Sequence, residues 1–477
     1  MIRTTTSALV AVALTLTACS VHTSTPLTKR QRSVQATSTN VPLRDCAAQC
    51  TGTINGAAYE IKLPQHWNGT LLLYSHGYRF AQPAPPDFAA VDTKAQVSST
   101  DEDGTGADPL SQDLLAAGYA LAGSAYKSNG WAVADGVQAG EDLHAKFVSL
   151  VGTPLRTYVW GDSLGGLITE ILAEQNPTWV DGAAPMCGAL AGPNVNFDLA
   201  LDVAYAVKAL IDPDLKLTGY TSAADASANW QRAAQLVEKA AADVGGGGTA
   251  KVLFIGALAD APNKTHTYDG ADLTSQVKAR VEALLTALAF GTSGRYEIEQ
   301  RVAGNPSDNT KADYATRIST DEATAIATAG GNISALLSKL KAVPRVSADP
   351  AARAAFEKLG DTTGDLSIPT VTMHTEFDPL VIVQNEQVFA ERVQSHNDNG
   401  RLVQLYIAPP ATYPESTGAP YGAGHCVFSD QQREALVTTL DGWVRNGVYP
   451  VAAGIAARFG AGLDPSYVPT AWPAAAS

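Results

Sequence analysis

Short apolar runs closed by glycine, proline or serine alternate along this chain with longer stretches of helical periodicity. Tyr59-Glu60-Ile61-Lys62-Leu63, stopped by Pro64, and Thr70-Leu71-Leu72-Leu73-Tyr74, stopped by Ser75-His76-Gly77-Tyr78, both read as strands. A helix over 111–117 leads into the strand-like Tyr119-Ala120-Leu121-Ala122-Gly123, and a second helix over 133–150 precedes Thr157-Tyr158-Val159-Trp160. A third helical pattern over 167–174 is followed by the run 181–187. Strands separated in this regular way by helices predict an α/β protein with a mostly parallel sheet and helices on both faces.

From 189 to 362 the pattern changes to alanine-rich amphipathic helices, with one strand-like run, Lys251-Val252-Leu253-Phe254-Ile255. Polyglycine at 245–248 and Gly304-Asn305-Pro306 break this block. Sheet-forming signals return at 368–374 and 401–407, and a last helix spans 430–443. A helical block inserted between two strands of one sheet reads as a cap over the active-site edge; an independent second domain is the alternative. The expected organisation is a signal peptide over 1–18, a flexible tether over 19–45, a first core part over 46–189, the cap over 190–362, a second core part over 363–450 and a tail over 451–477. That Ala/Pro-rich tail reads as a surface wrap or as disorder.

The first residues set the compartment. Arg3, an apolar run over 8–16 and Leu16-Thr17-Ala18-Cys19 resemble the lipobox of bacterial lipoprotein signal peptides, which would make Cys19 a lipid anchor. An ordinary secretory signal cut near Ala18 is the alternative, and both export the protein to the cell surface or the medium. The Thr/Ser-rich stretch after it cannot build a core. Five cysteines less Cys19 leave four. Cys46 and Cys50 are close enough for a small local loop, which leaves Cys187 with Cys426. No second CxxC-type pair or histidine cluster accompanies them, so disulfides rather than a zinc site are expected. The formal charge of −14 disfavours nucleic acid and anionic lipid surfaces as partners. A small-molecule substrate remains, with membrane contact only through the N-terminal lipid.

Chemistry concentrates at Gly161-Asp162-Ser163-Leu164-Gly165-Gly166, between an apolar strand and a helix. A strand-to-helix turn that sharp crowds the backbone on both sides of its central residue, so it demands small residues two before and two after, and it lifts the serine oxygen above the sheet edge. This segment, together with an acidic residue and then a histidine placed later in the chain, resembles the α/β-hydrolase fold over roughly 46–189 and 361–447. That fold places its nucleophile first, its acid second and its histidine last. Asp378 comes after a strand in His374-Thr375-Glu376-Phe377-Asp378-Pro379, with Glu376 as runner-up, and His425 lies in Tyr421-Gly422-Ala423-Gly424-His425-Cys426 before the last helix. The resemblance implies a Ser163, Asp378 and His425 triad without a cofactor. A serine hydroxyl needs an imidazole to take its proton, and the imidazole needs a carboxylate to hold its tautomer.

Among the other histidines, His396 reads as a helix C-cap, His374 as packed in a strand, and His22, His66, His144 and His266 as surface or structural residues. The resemblance also assigns the oxyanion donors: the N–H of Leu164, and the N–H of Tyr78 in the His76-Gly77-Tyr78 segment. A partial similarity to tannases and feruloyl esterases rests on His425-Cys426, since in that group a cysteine after the histidine bonds to one beside the serine. Here Asp162 occupies that second place, and Cys187 is the substitute partner. Trp131, with Tyr126 in the same loop after the Tyr119 strand, is expected to face the substrate pocket, packing at the start of the next helix being the alternative for Trp131. Together these imply an exported serine hydrolase, a carboxylesterase first. An aminopeptidase or amidase of the same fold, or a non-catalytic surface binding module, is the alternative.

Overall fold

The computed structural model describes Cys46 and residues 48–413 and 420–473. The signal peptide, the tether and Cys19 therefore lie outside the described residues. The strands are β1 (Gln49–Ile54), β2 (Ala57–Lys62), β3 (Thr70–Ser75), β4 (Ala120–Ser124), β5 (Arg156–Asp162), β6 (Gly182–Met186), β7 (Thr370–Thr375) and β8 (Leu402–Ile407). They form one sheet in the order β1-β2-β4-β3-β5-β6-β7-β8. The pairs β1–β2 and β2–β4 are antiparallel and the remaining pairs parallel. This is the mostly parallel sheet that the alternation of strands and helices predicts. β3 and β7 are buried along their whole length, and β5 at all but Arg156, because both faces of a parallel sheet are covered. The edge strand β1 is largely exposed, and its polar sequence carries no strand signal.

On one face lie α2 (Val133–Leu150), α3 (Leu164–Gln175) and α12 (Gln384–Ser395), which bury Leu143, Phe147, Ile168, Leu172 and Phe389 against the sheet. On the other lie α1 (Pro109–Ala116), α13 (Asp430–Asn446) and α14 (Ala452–Phe459), packed through Leu110, Leu114, Leu436 and Leu440. The start of α13 is set locally: Ser429 and Gln432 form a reciprocal capping box.

Between β6 and β7 the chain is helical: α4 (Pro193–Leu210), α5 (Ala223–Ala242), α6 (Gly248–Leu258), α7 (Leu273–Ala289), α8 (Arg295–Val302), α9 (Thr320–Thr328), α10 (Ile333–Lys341) and α11 (Pro350–Glu357). Much of this block shares an apolar cluster of its own, separate from the two that flank the sheet. The strand expected at Lys251-Val252-Leu253-Phe254-Ile255 is instead the middle of α6. Val252, Leu253, Phe254 and Ile255 are all buried, and a helix enclosed on every side has no polar stripe to reveal its period.

The described part of the tail, through residue 473, packs against the rest of the protein. Ile455 and Phe459 of α14 are buried. Beyond them Ala408 donates its N–H to Gly462 O (2.7 Å) and Asp464 donates to Tyr406 O (2.9 Å), so the tail wraps the end of β8. Among the described residues no helix is long and apolar enough to cross a membrane.

Candidate active site

The sheet register brings the ends of β3, β5, β6, β7 and β8 to one edge: Ser75 pairs with Gly161, Asp162 with Met186, Met186 with Met373, and Thr375 with Ile407. The residues just beyond these ends build the site. Ser163 sits between β5 and α3 at φ 60°, ψ −123°, a strained conformation for a non-glycine residue. Its N–H donates to Met186 O at 2.9 Å. The small residues on either side are required sterically: a Cβ at position 161 would lie 2.3 Å, and one at 165 2.0 Å, from the carbonyl oxygen of Ser75.

Ser163 Oγ donates to His425 Nε2 at 2.8 Å, and His425 Nδ1–H donates to Asp378 Oδ2 at 2.8 Å. Asp378 is buried, and its other oxygen accepts the N–H groups of Leu380 and Val381, both at 2.9 Å. Both nitrogens of His425 are thereby engaged, and Glu376 has no part in the chain. Glu376 lies beyond β7 in a half-buried position where burial and then the charge of Asp464 raise its carboxyl to about 7. The acid and histidine loops are joined directly: Gly424 donates its N–H to Phe377 O (2.9 Å) and Thr375 Oγ1 donates to Gly424 O (2.9 Å).

Cys426, next to His425, is disulfide-bonded to Cys187 at the end of β6, and Cys46 to Cys50. Cys187 and Cys426, with φ 40° and 56°, both adopt left-handed backbone to make their bond. The buried guanidinium of Arg433 on α13 donates to Cys426 O at 3.1 Å and to Phe428 O, a second clamp on the same loop. Asp162, also buried, accepts the Tyr74 hydroxyl at 2.9 Å. For His425, burial disfavours the imidazolium, but the charge and hydrogen bond of Asp378, with Asp162 behind it, outweigh burial and raise its pKa above the usual 6.5.

The loop after β3 approaches the serine closely: a Cβ on Gly77 would stand 3.9 Å from Ser163 Oγ. Leu164 is the first residue of α3, where a backbone N–H has no partner within the helix. Tyr78 comes after Gly77, and its side chain lines the cavity beside Ser163. His76 is held by its ring: Nδ1 lies 2.7 Å from Gly77 O, and the imidazole stacks on Tyr126 at 3.8 Å. Burial, with the nearby Arg79 charge, lowers His76 to about 3, so it stays neutral.

Trp131 and Tyr126, expected in the pocket together, part company. Trp131 lines the cavity with Ser163 and also packs edge-on against Phe197, ring centroids 5.4 Å apart. Tyr126 is not among the lining residues; its hydroxyl donates to His76 O at 3.0 Å, so it supports the loop of Gly77 and Tyr78 from behind. Between them the backbone is left-handed at Tyr126 itself, φ 59°, and at Gly130, φ 82°. His396 caps α12 at an exposed position, His374 is buried in β7 with Nδ1 3.0 Å from Thr375 O, and His144 stacks on Trp179 at 4.0 Å. His266, exposed and 3.5 Å from Glu282, borders the histidine loop: a Cβ on Gly424 would come 3.0 Å from its Nδ1. Sequence reasoning did not find Arg433, Phe197, Phe290 or Leu284. No local motif marks them.

No family model and no curated protein matches the chain. Among solved structures it is similar to an esterase from Aspergillus oryzae, with 14% identity, a TM-score of 0.40, and 84% of this chain and 81% of that one covered. It is similar to feruloyl esterase B from the same organism, with 14% identity, a TM-score of 0.38 and coverage of 84% and 80%. A proline iminopeptidase from Mycobacterium smegmatis has 12% identity, a TM-score of 0.34 and coverage of 83% and 98%. The strand order and the turn at Ser163, rather than these distant likenesses, carry the assignment of the fold.

Proposed function

We propose that this protein is a serine hydrolase that cleaves carboxylic esters through an acyl-enzyme. The observation that carries the reading is the unbroken path from Ser163 Oγ through His425 to Asp378, both steps at 2.8 Å, at the carboxyl edge of the sheet. Ser163 Oγ attacks the ester carbonyl while His425 Nε2 takes its proton. The N–H groups of Leu164 and Tyr78 hold the oxyanion. The tetrahedral intermediate collapses as His425 returns the proton to the departing alcohol. Water then attacks the acyl-enzyme, again losing a proton to His425, and the acid leaves with Ser163 restored. Asp378 holds the reacting tautomer and stabilises the imidazolium.

In this reading residues 190–362 act as a cap, and Trp131 belongs to the substrate wall. The two disulfides suit an oxidising compartment, in keeping with export, and the N-terminal pattern makes Cys19 the point of lipid attachment. Reaction with a fluorophosphonate probe, followed by panels of ester and aminoacyl-amide substrates, tests the function. Covalent labelling of Ser163 with ester turnover is the expected result. Turnover of aminoacyl amides in preference to esters would make it an amidase or aminopeptidase, and no labelling at all would leave a binding module.

A further inference from the structure

The lining of the cavity that opens onto Ser163 contains no Asp, Glu, Lys or Arg. Apart from Ser163 its polar members are Asn196, Tyr78 and Trp131. The Asn196 amide is already committed: Nδ2 donates to Gly192 O (2.9 Å) and Asn385 Oδ1 (3.0 Å), and Oδ1 accepts from Asn385 (3.2 Å). A charged group carried into this space would lose its water and meet no opposite charge, only the unpartnered Tyr78 hydroxyl and Trp131 indole N–H, which is a large cost. The α-ammonium of a peptide N-terminus is such a group.

The shape of the wall narrows the class further. The helical block contributes small or aliphatic residues to the wall, Ala200 and Val203 on α4, Ala261 after α6, and Ala283, Leu284 and Ala287 on α7, beside the rings of Phe197 and Phe290. Alanines there leave room that larger side chains would fill. The orientation of the substrate is set by which triad member borders the cavity. Ser163 does and His425 does not. Because the departing alcohol must reach His425 for its proton, the part of the substrate that stays on Ser163, the acyl group, occupies the cavity.

We propose, building on the serine-hydrolase reading, that the acyl half of the substrate is an uncharged aliphatic chain of medium length lodged between α4 and α7. The test is a series of p-nitrophenyl esters, acetate, butyrate, octanoate, dodecanoate and benzoate, set beside leucine p-nitroanilide, on the wild type and on Ala287→Phe. For the wild type kcat/KM should climb by up to about fourfold for each added methylene until the cavity is full. Ala287→Phe should shift the octanoate-to-butyrate ratio toward butyrate by about tenfold or more. Leu284→Ala, which enlarges the same wall, should move the preference toward dodecanoate and reads the cavity even if the first variant fails to fold. A short-chain fluorophosphonate checks Ser163 separately. If Ser163 is labelled but the chain-length profile is flat, the benzoate or the leucine anilide is preferred, or the wall variants leave the ratios unchanged, the acyl assignment falls while the hydrolase reading stands. An unreactive Ser163 sinks the hydrolase reading itself.

Discussion

The turn at Ser163 and the run at 251–255 are both short segments, yet one can be read from its letters and the other cannot. At the turn, a strand, a sharp bend and a helix are imposed by contacts within a few residues and by Ser75 O, which would collide with any Cβ at 161 or 165. In α6 nothing local decides. Its apolar residues suit a strand as well as a helix, and it is helical because α4, α5, α7 and α9 pack around it. Chemistry that depends on one strained residue leaves a local signature; shape that depends on several helices at once does not.

Removing the serine is the strongest test of the first half of that contrast. Ser163→Ala should abolish fluorophosphonate labelling and lower ester turnover by about 10⁶-fold, with thermal unfolding nearly unchanged. Labelling that persists in this variant would remove the turn from the chemistry. Asp378→Asn should lose about 10⁴-fold in kcat because it favours the wrong imidazole tautomer, while Glu376→Gln keeps most activity. The opposite pattern would hand the acid's role to Glu376.

The second half is tested by stability. Phe254 on α6 is wholly buried, so Phe254→Ala should cost about 3–5 kcal/mol in denaturant unfolding. A change near zero would mean that the helical block does not unfold with the rest and is held together otherwise. The Cys187–Cys426 bond joins residues 239 apart in sequence, and replacing both by serine should cost about 2–5 kcal/mol. Activity is the sharper readout there: Arg433 also clamps the histidine loop, so turnover at low temperature should survive in the double variant.

The smallest expected effect is a shift in a pH profile. His425 must be neutral to accept the serine proton, and its pKa is raised above 6.5 by Asp378 and Asp162 acting against burial. The acid limb of kcat/KM should accordingly have its midpoint above 6.5, activity being lost as pH falls through it. Asp162→Asn removes one source of the rise, so the midpoint should move down. A midpoint that stays in place would show that Asp162 exerts no field on the base.

Legibility tracks the range of the forces involved. β3, β4, β5 and α2 can be drawn within a residue or two, and α3 within three, because buried parallel strands and amphipathic helices announce themselves in composition and period. β1 cannot, being an exposed edge whose pairing with β2 supplies the order its own residues lack. Ser163, Asp378 and His425 are marked out by position in the chain, yet their mutual distances come only from the register of β5 through β8. Tyr126 and Trp131 show the limit within a single loop. Five residues apart, they invite one role, but Trp131 reaches the cavity while Tyr126 turns behind His76.

What the sequence determined by itself was whatever sterics and backbone hydrogen bonding settle over short distances: the alternation that makes the sheet, the small residues that permit the bend at Ser163, and the capped helices. The order of nucleophile, acid and base also belongs to the sequence, because chain order is carried along one dimension. The tertiary structure alone decided which side chains surround the serine, since Phe197, Leu284, Phe290 and Ile382 come from segments far apart in the chain and meet only in the folded protein, where they line one cavity with Ser163. Their convergence depends on packing many weak dispersion contacts at once, and no one of those contacts is written into any local run of residues.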